Sequence, residues 1–242
     1  MTPENRARLH SVIRESLTRA VLPASTTYQR ERAATHGPFS QPSAPAPFKT
    51  VLDEDPNSIV NRFRREAENL AVNVYLARDE DEATATVMGI LKAVEATRVL
   101  AWAESAIGLP GLPQELTKAK IETVSQEVPF DLQLRPARLA EMASAQAGIT
   151  GAAAGLADSG SLVLSHGPSR GRLASLLPPV HIAVLRRSAI IGSFAELLEK
   201  QPSLPEVSSN LVLITGPSRT ADIEMTLSRG VHGPKDVHII LV

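Results

Sequence analysis

The stretches Leu162-Val163-Leu164-Ser165-His166-Gly167-Pro168-Ser169-Arg170 and Leu211-Val212-Leu213-Ile214-Thr215-Gly216-Pro217-Ser218-Arg219 repeat one pattern, an apolar run ending in Gly-Pro-Ser-Arg. Short apolar runs closed by turn residues have the length and composition of buried strands, here over 161–165 and 210–215. Similar runs lie at 72–76, 98–102, 181–185 and 237–242. Between them, Ile59, Phe63, Ala67 and Leu70, and then Val87, Ile90, Leu91 and Val94, recur at helical spacing. Residues 138–147, 189–200 and 220–227 also read as helices, the first stopped by Gly148. Helices and strands alternating in this way predict an α/β domain with a largely parallel sheet over residues 51–242.

Residues 1–50 read differently. Leu9, Val12, Ile13 and Leu17 mark an amphipathic N-terminal helix. Pro23, Pro38, Pro42, Pro45 and Pro47 then give an extended arm, suited to assembly or to a mobile tail. No apolar run is long enough to span a bilayer and no secretory leader is visible, so a cytoplasmic protein is expected.

The 25 Lys and Arg balance 26 Asp and Glu, which argues against nucleic acid as a partner. The absence of cysteine excludes a thiolate nucleophile and any thiolate-held iron–sulfur cluster or zinc on this chain. No metal site is expected. Asp79-Glu80-Asp81-Glu82 reads as the start of a helix, where negative charge suits the dipole, and no His pair has helical metal-ligand spacing.

In an open α/β sheet the loops after the strands form the ligand crevice. Gly216, Ser218, Arg219 and Thr220 run from a strand into an expected helix, whose free N–H groups suit an anion, or where Ser218 or Thr220 simply caps the helix. Gly167, Ser169, Arg170 and Arg172 form the matching loop, whose arginines either grip an anion bidentately or face solvent. A third loop follows Thr150 and Gly151 and includes Asp158, Ser159 and Gly160. Asp158 is a candidate base or nucleophile, or a turn cap. His166 and His232 are candidate acid–base or ligand-binding groups. There is no Gly-x-Ser-x-Gly elbow and no G-x-G-x-x-G fingerprint.

The runs Ile149-Thr150-Gly151, Ala157-Asp158-Ser159-Gly160-Ser161-Leu162-Val163-Leu164, Ser175-Leu176-Leu177-Pro178-Pro179-Val180-His181-Ile182, Ile214-Thr215-Gly216-Pro217-Ser218-Arg219-Thr220-Ala221-Asp222-Ile223-Glu224 and Gly230-Val231-His232-Gly233-Pro234 resemble the lactate utilization (LUD) domain family, closest to its lactate utilization protein C (LutC) type. Two positions depart from the family pattern: Asp158-Ser159-Gly160-Ser161 replaces Glu-Thr-Gly-Thr, and Ala152 and Ala153 stand where an acid is common. The resemblance implies a three-layer α/β/α fold, similar to that of glucosamine-phosphate deaminases, ribose-phosphate isomerases and CoA transferases. It also implies a part in L-lactate oxidation to pyruvate beside iron–sulfur partner proteins, which would carry the clusters while this chain carries no cofactor.

Two functions follow as expectations. One is a non-redox subunit or accessory protein of a lactate-oxidising system, which binds a small carboxylate or other anion in its cleft and is able to self-associate. The other is a stand-alone CoA-transferase-like or other group-transfer enzyme with Asp158 as carboxylate nucleophile, by likeness to the Glu-x-Gly loop of CoA transferases.

Overall fold

The computed structural model describes residues 56–221, 227–229 and 232–242. All of them belong to one compact unit, Thr50–Val242. The N-terminal helix and Pro-rich arm expected over 1–50 lie outside the described residues.

The main sheet has six parallel strands: β1 (Asn73–Leu76), β2 (Arg98–Ala101), β3 (Glu122–Val124), β4 (Ala147–Gly151), β7 (Val180–Leu185) and β12 (Asp236–Leu241). Their spatial order is β1-β12-β7-β4-β2-β3, and every pair runs parallel. This is the α/β class with a mostly parallel sheet that the sequence predicts. β4 and β7 are buried at every position, as strands covered on both faces must be.

One face packs on α2 (Glu80–Ala93) and α4 (Leu112–Lys118): Val87, Leu91 and Leu116 meet Val99, Ile149, Ile182 and Ile240. Asp79 starts α2 by accepting a hydrogen bond from the Glu82 N–H at 2.8 Å, with Glu80, Asp81 and Glu82 in the first turn. The acidic run is therefore a helix start, as its sequence suggests.

The other face meets α1 (Pro56–Asn69), through Phe63 and Ala67, and a second sheet of order β8-β5-β6-β9. That sheet contains β5 (Ala154–Leu156), β6 (Ser161–His166), β8 (Ile190–Ile191) and β9 (Asn210–Ile214). Leu162 points into the layer shared with α1, while Val163 points outward to Leu197 of α6 (Phe194–Lys200) and to Leu204 of α7 (Leu204–Val207). Both faces of β6 are thus buried, which accounts for its unbroken apolar run.

Three expected helices are corrected. Over 138–147 the helix, α5 (Arg135–Ala143), ends early, and Ala147–Gly151 is strand β4. A Cβ built on Gly148 lies 1.7 Å from the Ala174 carbonyl oxygen, so this backbone is held against its neighbour as part of the sheet and tertiary packing overrides the local preference. Over 189–200 a turn of 3-10 helix (Arg187–Ala189) and β8 come first, and α6 begins only at Phe194, capped by Ser193. Residues 220–227 are not a helix at their described ends: β10 (Arg219–Ala221) pairs antiparallel with β11 (Leu227–Arg229). The ladder partners of this ribbon take the backbone of Arg219–Ala221 that a helix would have needed, so the second Gly-Pro-Ser-Arg turn does not open a helix.

Candidate functional site

Chain direction decides which loops meet. From β2 the chain crosses to β3 on one side, whereas from β4 it proceeds to β7 on the other. Adjacent strands whose connections diverge leave a crevice beyond their carboxyl ends. By that rule the crevice falls between Trp102 to Glu104, which follow β2, and Ala152 and Ala153, which follow β4.

Three consecutive residues at the end of β2 anchor its rim. The Ala101 carbonyl accepts a hydrogen bond from the Gln126 side-chain amide. The Trp102 indole N–H donates to the Gly171 carbonyl at 2.9 Å. The Ala103 N–H donates to the Ser169 carbonyl at 3.1 Å. The first Gly-Pro-Ser-Arg turn is therefore fastened over the crevice.

The turn is tight. Arg170 N–H donates to the Gly167 carbonyl at 3.0 Å, Pro168 occupies the second position, and Ser169 takes a φ of 60° at the third. Positive φ there is usually supplied by Gly or Asn, so Ser169 holds a conformation that costs about 1 kcal/mol. The Arg170 guanidinium folds back toward Gly167, 3.0 Å from the point where a Cβ would stand. Among the described residues no ion pair engages Arg170 or Arg172.

His166 ends β6 and is buried. Its ring meets Trp102 edge-on, with centroids 5.6 Å apart and planes at 82°. Burial holds its pKa below the ordinary histidine value, with the positive charges of Arg172 and Arg170 adding to the effect. The neutral ring donates from Nδ1 to the Asn210 carbonyl at 3.2 Å, because a carbonyl only accepts. Nε2 is then a bare acceptor, buried and without a partner, as are Gln126 Oε1 and Asn210 Oδ1.

Thr150 and Gly151 reach the same end of the sheet. Thr150 is fully buried and its hydroxyl pairs with His181 Nε2 at 2.9 Å, so it serves the sheet interior. Gly151 lets α3 (Glu104–Ile107) approach: a Cβ there would lie 2.0 Å from the Ala106 carbonyl oxygen.

The remaining candidates lie elsewhere. β6 and β9 pair antiparallel, with Leu162 opposite Ile214 and His166 opposite Asn210. The two Gly-Pro-Ser-Arg turns therefore leave opposite ends of this pair, separated by about 13 Å of strand. One cleft does not hold Arg170, Arg172, Ser218, Arg219 and Asp158 together.

The second turn serves packing. Gly216 (φ 87°) faces Leu70, the Ser218 N–H donates to the Pro234 carbonyl at 2.9 Å, and the Arg219 guanidinium donates to the Leu70 carbonyl at 2.7 Å, just beyond α1. A cation at a helix carboxyl end complements both the dipole and the free carbonyls. Thr220 lies in β10 and His232 is exposed beside Gly233, which abuts Ser218. Gly160 (φ 63°) sits on α1, and Ser159 precedes it in the turn. Asp158 is exposed on that turn, its backbone N–H donating to the Gly192 carbonyl at 3.0 Å.

Trp102 and Gln126, which complete the crevice, are not marked by any sequence motif. Trp102 is legible only as the end of a strand, and Gln126 stands alone in a loop. Among the described residues no three His, Asp or Glu side chains gather as metal ligands, and no helix is long and apolar enough to cross a membrane.

The LUD domain model matches residues 60–242. A lactate utilization protein C of Halalkalibacterium halodurans is 30% identical over 192 residues, covering 77% of this chain and 80% of that protein. An uncharacterized protein of Neisseria meningitidis is 39% identical over 97 residues, 40% of this chain and 42% of its own length. A lactate utilization protein C of Macrococcus caseolyticus is 41% identical over 40% of this chain and 44% of that protein. The chain thus spans less than half the length of several relatives that it matches. The crystal structure of a DUF162 family protein from Deinococcus radiodurans superposes with a TM-score of 0.54 at 22% identity, over 78% of this chain and 99% of that one, a likeness of fold. The chain belongs to the LUD domain family, and within it to the lactate utilization protein C type.

Proposed function

We propose that the protein is a non-redox component of a cytoplasmic L-lactate utilization system, acting beside iron–sulfur proteins and holding a small carboxylate in the crevice at the ends of β2 and β4. The observation that carries this reading is Arg170, half-buried on a turn fastened at the end of β2, with exposed Arg172 opening the 3-10 helix that follows (Arg172–Ser175), neither in an ion pair among the described residues. A guanidinium matches a carboxylate bidentately. The names of the relatives support lactate as the metabolic context. The sequence has no cysteine, so clusters in such a system would sit on its partners.

The exposure of Asp158 favours this reading over group transfer, because a carboxylate nucleophile gains reactivity from desolvation and fixed donors. The crevice also lies at the opposite end of the β6–β9 pair from the Asp158 turn.

Affinity purification of the full chain from its lactate-grown host tests the assembly. Recovery of iron–sulfur proteins, with lactate oxidation in the eluate, is expected. An eluate without them, even after mild cross-linking in cells, would contradict the subunit role.

A further inference from the structure

The crevice contains more than its arginines, and its polar atoms are unbalanced. His166 Nε2, Gln126 Oε1 and Asn210 Oδ1 are all buried acceptors without a donor. For His166 the cause is explicit: Nδ1 carries the proton toward the Asn210 carbonyl, which leaves Nε2 with a lone pair and nothing to receive. For Gln126 the amide N–H is committed to the Ala101 carbonyl, which leaves Oε1. The nearby indole N–H cannot help, since Trp102 gives it to Gly171. Orphaned buried acceptors are costly, and each needs an explanation.

These acceptors belong to one neighbourhood. His166 lies edge-on to Trp102, Gln126 Oε1 lies 2.4 Å from the point where a Cβ on Gly171 would stand, and Asn210 is the strand partner of His166. The Gly167–Arg170 turn leads directly out of His166, with Ser169 in the strained left-handed conformation. The positive charges of Arg172 and Arg170 lie near enough to act on the His166 ring, so the guanidinium groups and the Nε2 acceptor flank the same end of β6.

Resting on the carboxylate reading above, we propose that His166 is a specificity-determining residue: its Nε2 accepts a hydrogen bond from a hydroxyl adjacent to the carboxylate that Arg170 and Arg172 hold. The site then selects a 2-hydroxy acid over the matching 2-oxo acid. The oxo acid offers only lone pairs to a wall of acceptors and leaves them unpaired, which is how polar sites reject analogues that lack a donor. Gln126 Oε1, its orientation fixed by the amide N–H on the Ala101 carbonyl, is a second acceptor that disfavours a carbonyl.

The test is calorimetric titration of the full chain with L-lactate, pyruvate and 2-methoxypropanoate, the last of which keeps the carboxylate and an oxygen on C2 but lacks the donor. L-Lactate is expected to bind at least about tenfold more tightly than either competitor. In His166→Phe, which keeps a ring against Trp102, the ratio should collapse toward one. Equal affinities for the three acids in the wild type, or a preserved ratio in His166→Phe, would overturn the role of His166 while leaving the carboxylate site standing. Absence of binding by all three would overturn both readings. If His166→Phe does not fold, the comparison of L-lactate with pyruvate on the wild type, which removes the donor without adding bulk, decides.

Discussion

Gly160→Ala is expected to destabilise the domain by about 3 kcal/mol or more, and to do so without reference to any ligand. Two costs combine. Gly160 holds φ at 63°, a conformation that costs an L-residue about 1–2 kcal/mol. Its missing Cβ would stand 2.3 Å from the Ala67 backbone nitrogen and 2.6 Å from the Glu66 carbonyl carbon. Those atoms belong to α1, so relief requires moving a helix, and overpacking of this kind costs about 1–3 kcal/mol more. Urea unfolding with and without added carboxylate checks it. A stable Gly160→Ala variant would mean that the turn does not seat against α1.

The second large effect is acid sensitivity. His181 is fully buried on β7, hydrogen-bonded through Nε2 to Thr150, and burial pushes its pKa down to about 3, with His238 and His166 adding to the effect. In the unfolded chain it titrates near 6.5. Between these values the unfolded state binds a proton that the native state refuses, so stability is highest above pH 6.5 and falls as the pH drops toward 3. One such group gives a slope of about 1.4 kcal/mol per pH unit in that window. Burial also lowers the pKa of His166 and His238, which steepens the same loss. Unfolding midpoints from pH 4 to 8 should show a shallower dependence in His181→Gln, which keeps a polar group toward Thr150. A slope unchanged by that substitution would place the acid sensitivity elsewhere.

Two strands of the parallel sheet were readable because burial on both faces gives a continuous apolar run, whereas β4, equally buried but built of Ala, Gly and Thr beside one Ile, and the three-residue β3 were not. The runs at 181–185 and 237–242 correspond to β7 and β12 within a residue at each end. The acids at 79–82 were readable too, since a cap and its dipole are local. Pairing sense was not. Leu162 to Arg170 and Leu211 to Arg219 look alike in sequence, yet antiparallel pairing turns their loops away from each other, and no local property of either run encodes the direction of its neighbour.

Glycine misled for a related reason. Gly151, Gly160 and Gly216 are small where something comes close, and sequence does not say whether that is a ligand or a helix. Here Gly151 meets α3, Gly160 meets α1 and Gly216 meets Leu70 just beyond it. The first Gly-Pro-Ser-Arg turn is the better candidate because topology, not motif, delivers Trp102 and Gln126 to it.

The central claim is that small carboxylates bind at the ends of β2 and β4 through Arg170 and Arg172, and not at the second turn. Its most direct test is titration of L-lactate into the wild type and two variants. Arg170→Ala should weaken binding at least about tenfold, the loss expected for a charged hydrogen bond. Arg219→Ala should leave binding unchanged and loosen only the end of α1, where Arg219 meets Leu70. Binding that survives Arg170→Ala but fails in Arg219→Ala would contradict the account and move the site to the other end of the β6–β9 pair.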